Sequence, residues 1–291
     1  MNLNKPKCQF KVFYQPVVCL TTGKIGGFEA LLRWRHPSKG YISPVDFIPI
    51  AEETGLIIPL GTWVLKTAIN QMSEWQQEFF SSVERSNPLS LASPNDRSWQ
   101  FRSNLLLNEP ETQHRNLKMA VNISGKQFLQ LDLVAQIEQM LQEAELNPSH
   151  LKLEITESLL MENFEQIISI LKELSQLGIE LAIDDFGTGY SSLGRLQTLP
   201  INTLKIDRCF VSKIDRSLSE LEIVKAIANM AAALKIKTVV EGIETPNQLT
   251  MLQNINCHQG QGYYFAKPLD PSSIIALLKN VPHWMHHFTG N

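Results

Sequence analysis

The sequence predicts an α/β fold, a closed (β/α)8 barrel of the TIM type, on three observations. Short β-branched runs alternate with longer helical patterns, eight such runs can be counted, and 291 residues suit one barrel of that size. Length alone would equally fit two ordinary domains. The alternation decides for one domain spanning residues 1–291.

The eight strands are expected at Phe10–Val17, Ile25–Leu32, Leu117–Val121, Leu151–Ile155, Glu180–Ile183, Thr203–Ile206, Thr238–Val240 and Gly262–Phe265. The helices between them have legible ends. Ser43 and Pro44 read as an N-cap followed by a first-turn proline. From Asn163 to Leu177 the apolar residues Phe164, Ile167, Ile168, Leu171 and Leu174 recur at helical spacing, and Gly178 stops the run. Ser217–Leu234 and Pro271–Leu278 read the same way. Residues 81–116 break the pattern with clusters of Ser, Asn and Pro and little periodicity, and are expected to form a mobile surface excursion, a tolerated insertion with a regulatory or partner-binding segment as the alternative. The first strand begins within about ten residues of Met1, as it would in a domain trailing a longer protein or in a short free-standing one.

Composition narrows the function classes. A formal net charge of −3 provides no long-range positive field, which argues against DNA or an anionic membrane surface as partner. No apolar run approaches 18 residues and no secretory leader is evident, so no membrane segment is expected. Cys8, Cys19, Cys209 and Cys257 stand far apart without CxxC spacing, and a reduced, cytoplasmic setting is expected.

The informative polar residues sit at strand ends. Apolar runs finish in Asn122, Glu154, Asp184 with Asp185, Asp207, and Glu241, and Glu29 lies on the second strand. In a closed barrel the carboxyl ends of the strands meet around one mouth, so residues spread through the sequence should form one site. A lone acid at a strand end is usually a helix cap or an ion-pair partner; recurrence at successive strands favours a site. Six carboxylates, from Glu29, Glu154, Asp184, Asp185, Asp207 and Glu241, would face only Lys205 and Arg33 among the cations of these motifs. Such crowding needs more positive charge. All-oxygen donors favour a hard ion such as Mg²⁺ or Mn²⁺, and two ions about 3.5–4 Å apart sharing Asp184 would activate water against a phosphodiester. Lys205 and Asp207 lie two apart on one strand and so face the same way. His258, His283, His286 and His287 are at no strand end beside these acids, and the last three read as a surface tail. The glycine-containing loop Asp185–Leu193 follows two candidate ligands, and neither a P-loop nor a GxGxxG is present, so triphosphate and dinucleotide-cofactor readings lack support.

An ordered series of motifs then carries a resemblance: Tyr14-Gln15-Pro16, Glu29-Ala30-Leu31-Leu32-Arg33-Trp34, Val121-Asn122-Ile123-Ser124, Leu153-Glu154-Ile155-Thr156-Glu157-Ser158, Ala182 through Leu193, Leu204-Lys205-Ile206-Asp207-Arg208, Val240 through Thr245, and Gln261-Gly262-Tyr263. Together they resemble the signature of the EAL domain family, over nearly the whole chain outside the 81–116 excursion. The resemblance implies a barrel whose first strand runs antiparallel to the rest and a phosphodiesterase that converts cyclic di-GMP to linear pGpG. It implies one metal at Glu29, Asn122, Glu154 and Asp184, and a second at Asp184, Asp185 and Glu241. Lys205 would orient the attacking water with Asp207 beside it, and Glu241 would share in the catalysis. Arg33 would hold phosphate, and Gln15 and Gln261 would line the nucleotide cleft. Glu157, joined by Glu244, would brace the Asp185–Leu193 loop, a region that in the family also serves homodimerisation. Whether an N-terminal sensor domain precedes the barrel in a longer protein is left open by the sequence, and Ca²⁺ is expected to bind but inhibit. The competing reading is a non-catalytic cyclic di-GMP receptor or interaction module of the same fold. Loss of a ligand or of the lysine would favour it, and all are present. Replacing Lys205 or Glu29 by alanine is expected to abolish turnover, the lysine change largely sparing the fold.

Overall fold

A computed structural model of the chain describes residues 9–86, 116–161, 164–189 and 193–288. Among these residues are nine strands: β1 Phe10–Cys19, β2 Ile25–His36, β3 Gly40–Ile42, β4 Lys118–Asn122, β5 Leu151–Thr156, β6 Glu180–Phe186, β7 Thr203–Ile206, β8 Lys237–Val240 and β9 Gln259–Gly260. The sheet order β1-β9-β8-β7-β6-β5-β4-β2 closes on itself through the β1–β2 pair, and β3 extends β2 as a hairpin. The predicted eight-stranded barrel is therefore present with one added strand. β1 is antiparallel to both neighbours, β2 and β9, while the other barrel pairs are parallel.

Local chemistry accounts for the elements. β5 and β7 are buried on both faces apart from Thr156, as strands enclosed by helices must be, although polar residues alternate with apolar ones along both. Helix Ile57–Ser86 buries Val64, Leu65, Ala68, Ile69, Met72 and Trp75, residues spaced three or four apart, against β1, β2 and β4. The Trp75 ring lies 4.9 Å from Tyr14 and 5.1 Å from Phe28 in tilted and edge-on contacts. Helix Phe164–Gln176 ends at Gly178, whose φ of 92° is the left-handed stop the sequence signalled. Ser217 caps helix Leu218–Ala233 by accepting from Glu220 N–H. Ser43 is extended ahead of Pro44 but makes no side-chain cap bond; the proline alone marks that start.

Two expectations are corrected. The surface excursion was placed from residue 81, yet helix Ile57–Ser86 carries regular structure to residue 86, and residues 87–115 lie outside the described residues. The last strand was placed at Gly262–Phe265; it is Gln259–Gly260, and Gly262–Phe265 is a turn with Phe265 N–H bonded to Gly262 O. The reason is close packing. A Cβ on Gly262 would sit 2.1 Å from Ile243 O, so the backbone passes too close to the β8 exit to hold a side chain or continue a ladder.

The C-terminal segment closes the barrel base. Trp284 is fully buried, its Nε1 donates to Gly23 O at 2.9 Å in the β1–β2 turn, and its ring meets Phe265. His283, His286 and His287 around it are exposed, and His258 accepts from Thr238 N–H within the fold. Trp284→Ala should lower the unfolding free energy by about 3–5 kcal/mol, through lost burial and an orphaned Gly23 carbonyl. Urea unfolding followed by circular dichroism measures it, and a change within error would show that the tail does not carry the base.

Candidate functional site

The parallel strands deliver their carboxyl ends to one rim. Glu29 from β2, Glu154 from β5, Asp184 from β6 and Lys205 from β7 are all buried there, with Glu241 after β8 half-buried and Asn122 at the end of β4 exposed. Oxygens of Glu29, Glu154 and Asp184 come within 4.8 Å of one another, as do those of Asp184, Asp185 and Glu241. Asp184 belongs to both groups.

Two adjacent residues of a flat strand point to opposite faces. Asp184 and Asp185 escape this rule through a β-bulge. β6 advances three residues, from Ile183 to Phe186, while β7 advances two, from Leu204 to Ile206. The extra residue, Asp185, sits at φ 54°, a left-handed conformation that costs a non-glycine residue energy and recurs at functional sites. The loop that follows is held by Glu157, a buried side chain at the end of β5, whose Oε2 accepts from Gly187 N–H at 3.0 Å and Gly189 N–H at 3.2 Å. Residues 190–192 of that loop lie outside the described residues. Glu244 is exposed, its backbone N–H donating to Gln248 Oε1.

Lys205 stands at the centre of the acids. Its Nζ is 2.6 Å from Glu154 Oε2, 2.7 Å from Glu241 Oε1, 3.1 Å from Asp184 Oδ1 and 3.6 Å from Glu29 Oε2. Burial alone would lower its pKa, but the four carboxylates outweigh that and hold it well above the usual lysine value. The acids show the opposite strain. Burial, reinforced by Glu29 and Asp184, pushes Glu154 far up even against Lys205. Burial and the same two neighbours raise Glu241 to about 7. Burial, then Asp184 and Asp207, raise Asp185. Asp207, two residues beyond Lys205, also accepts from Cys209 N–H and so caps the short helix Arg208–Val211.

With all five acids ionised, Glu29, Glu154, Asp184, Asp185 and Glu241 against Lys205 leave four uncompensated negative charges in one largely buried cluster. Two divalent cations would cancel that number. The donors are oxygens from carboxylates and one carboxamide, which suits a hard ion, so the residues fit the metal that the family implies. The buried acidic groups thus form a centre able to bind ions.

The open side of the rim is a cleft of about 220 Å³, lined by Gln15, Arg33, Arg208, Glu244, Gln261 and Tyr263 beside the acids. Arg33 donates to Leu32 O and lies near Tyr263 and Glu29, and burial lowers its pKa. Arg208 and Tyr263 were not singled out from sequence. Only their place in the signature segments pointed toward them.

The comparisons agree with this geometry. The sequence profile of the EAL domain matches residues 4–112 and 100–268, and the chain belongs to the EAL domain family. It is 37% identical over 271 residues to cyclic di-GMP phosphodiesterase NbdA of Pseudomonas aeruginosa, covering 93% of this chain and 30% of the relative. It is 34% identical over 261 residues to cyclic di-GMP phosphodiesterase PdeR of Escherichia coli, covering 90% of this chain and 34% of the relative. Among solved structures it is similar to the PaMucR phosphodiesterase in complex with c-di-GMP, with a TM-score of 0.77 and 36% identity over 91% of this chain and 94% of that one. The chain spans about a third of the length of these curated relatives.

The carboxyl shifts set a pH dependence for metal-free protein. With Glu241 near 7 and Glu154 and Asp185 also raised, the folded state keeps protons that the unfolded chain, near 4.5 at the glutamates and 3.8 at the aspartate, has already released. Stability must then fall as pH rises from about 4.5 to about 7. Lys205, raised, contributes equally across that window. Melting temperature in a chelator should decline over this interval and recover when Mn²⁺ is added; a flat profile would show that the acids are compensated without a metal. Lys205→Ala should lower the metal-free melting temperature further, because it strips the one buried cation from four carboxylates. For metal-free protein this revises the expectation that the change spares the fold.

Proposed function

We propose that this chain is a metal-dependent phosphodiesterase that hydrolyses cyclic di-GMP to linear pGpG. The observation that carries the reading is the pair of oxygen clusters joined at Asp184 around Lys205, opening on a cleft that Arg33 lines. Phosphodiesterase relatives with over a third identity favour the same substrate.

In this reading Glu29, Asn122, Glu154 and Asp184 hold one ion and Asp184, Asp185 and Glu241 a second. Bound Mg²⁺ or Mn²⁺ would supply the charge that acidifies water and polarises the phosphoryl group. The side chains do the rest. Arg33 offers its guanidinium to a phosphate oxygen and fixes the diester across the cleft. Lys205 donates to the attacking water and to the charge that develops on the phosphoryl oxygens, and its raised pKa keeps it a donor at any working pH. A water oxygen bonds to phosphorus, the bond from phosphorus to the 3′-oxygen breaks, and that oxygen leaves with a proton. Asp207, beside Lys205, keeps the local field negative on the Asp185 side. Glu157 holds the loop that carries Asp185, and Gln15 and Gln261 border the cleft.

Several wider proposals accompany this one. Residues 1–291 form a single barrel domain, a homodimer forms through the 185–193 region, a sensor domain precedes the barrel in a longer protein, and the setting is cytoplasmic. No helix among the described residues is long and apolar enough to cross a membrane.

Purified chain incubated with cyclic di-GMP and Mg²⁺ or Mn²⁺ should yield pGpG by chromatography. Tight binding without product would make it a receptor instead. Glu29→Ala and Lys205→Ala should each reduce kcat by at least about 10²-fold, as expected for groups acting on developing charge. Full activity in either variant removes that residue from the mechanism. Ca²⁺, which accepts longer and looser oxygen coordination, should bind competitively and support little turnover; equal rates with Ca²⁺ and Mg²⁺ would contradict a tight paired centre.

A further inference from the structure

Glu29 is held from both sides by amides. Asn122 Nδ2 donates to its Oε1 at 2.7 Å, and Gln261 Nε2 donates to its Oε2 at 2.6 Å. Gln261 Nε2 spends its second hydrogen on Gln15 Oε1 at 2.9 Å. Gln15 Nε2 in turn donates to Ala266 O at 2.9 Å. Gln15 and Gln261 are almost wholly buried, at 7% and 5% exposed.

The direction of this chain follows from elementary chemistry. Turning the Gln261 amide over would set its oxygen against the Glu29 carboxylate, two acceptors facing each other. Turning Gln15 would set its oxygen against the Ala266 carbonyl. Each amide therefore has one orientation, fixed by the next. Gln261 Oε1 is left buried with no hydrogen-bond partner, an exception that a satisfied structural amide would not show. Its residue borders the cleft, but the oxygen itself is shut away from solvent beside the Glu29 carboxylate that its Nε2 holds.

We infer that Gln15 and Gln261 are positioning residues that set the angle of the Glu29 carboxylate for a divalent cation, with Gln15 acting through Gln261. They form a relay from the Ala266 carbonyl, on the 262–268 segment bordering the cleft, to a metal ligand. The inference rests on the proposed metal centre and departs from the expectation that these glutamines act as substrate contacts. The antiparallel β1 makes the relay possible. Gln15 pairs with Glu29 in register, so the two residues stand side by side at the rim although they belong to strands of opposite direction.

The test measures Mn²⁺ binding to the purified chain without substrate, by calorimetry and by the melting-temperature rise on titration. Gln261→Met should weaken Mn²⁺ binding about 10–100-fold, the usual range for residues that orient a metal ligand. Gln15→Met should weaken it in the same direction. The double variant should be no weaker than Gln261→Met alone, because the first residue acts through the second. At saturating Mn²⁺ the KM for cyclic di-GMP should stay near that of the parent chain. Unchanged Mn²⁺ affinity with raised KM, or additive losses in the double variant, would overturn the relay and return both glutamines to substrate contact. Should Gln261→Met fail to fold, Gln15→Met alone decides, by whether its Mn²⁺ affinity falls. A parent chain that binds Mn²⁺ without cleaving cyclic di-GMP would refute the proposed activity and leave the relay standing. One that binds no Mn²⁺ would refute the metal centre and the relay with it.

Discussion

Five carboxylates around one buried ammonium are the constraint on which the rest of the structure depends. A protein interior does not tolerate four surplus negative charges without a partner, and the strain is visible in the upward shifts of Glu154, Asp185 and Glu241. The barrel accepts that cost because its strand ends can be loaded independently, each with one acid, while the apolar residues between them carry the fold. Where one acid per strand is too few, β6 gains a second through its bulge, and the left-handed Asp185 is secured by the loop that Glu157 ties down.

Beneath the acids the barrel axis changes sign. Lys152, one inward position below Glu154 on β5, is buried and pairs with Glu180 at 3.5 Å, while Lys118 reaches the same carboxylate at 2.9 Å. Burial pushes the Lys152 pKa down, with Glu180 and Glu154 opposing. A small cavity bordered by Gly27, Lys118, Lys152 and Glu154 separates the two layers. A Cβ on Gly27 would sit 2.3 Å from Lys118 O, so the narrow neck between β2 and β4 admits only glycine.

Much of this was legible in the sequence, for physical reasons. Asn122, Glu154, Asp184, Lys205 and Glu241 announced themselves because strand ends in a closed barrel converge whatever their separation in the chain. The signature motifs added the antiparallel direction of β1, which no periodicity reveals. Other features depend on contacts that no local pattern encodes. The bulge leaves no mark beyond two adjacent aspartates. The pairing of Gln15 with Gln261 joins residues 246 positions apart. The true last strand, only two residues long, was hidden by the more β-like Gly262–Phe265, where the close approach of Ile243 forces a turn. The helix through residue 86 was missed at its end because Ser, Glu and Arg there look like loop composition while packing upstream sustains the helix.

The reversed first strand also decides where force would be felt. Because Phe10 pairs with Trp34 beyond the rim and Cys19 reaches the base, the polypeptide comes into the barrel from the reactive face and leaves it at the opposite end. In an all-parallel barrel the leading strand would come in from the far side. Here a pull or twist on the backbone ahead of Gln9 would be taken up first where Gln9 and Phe10 join Trp34 and Arg35 of β2, in the same pair of strands that carries Gln15 and Glu29.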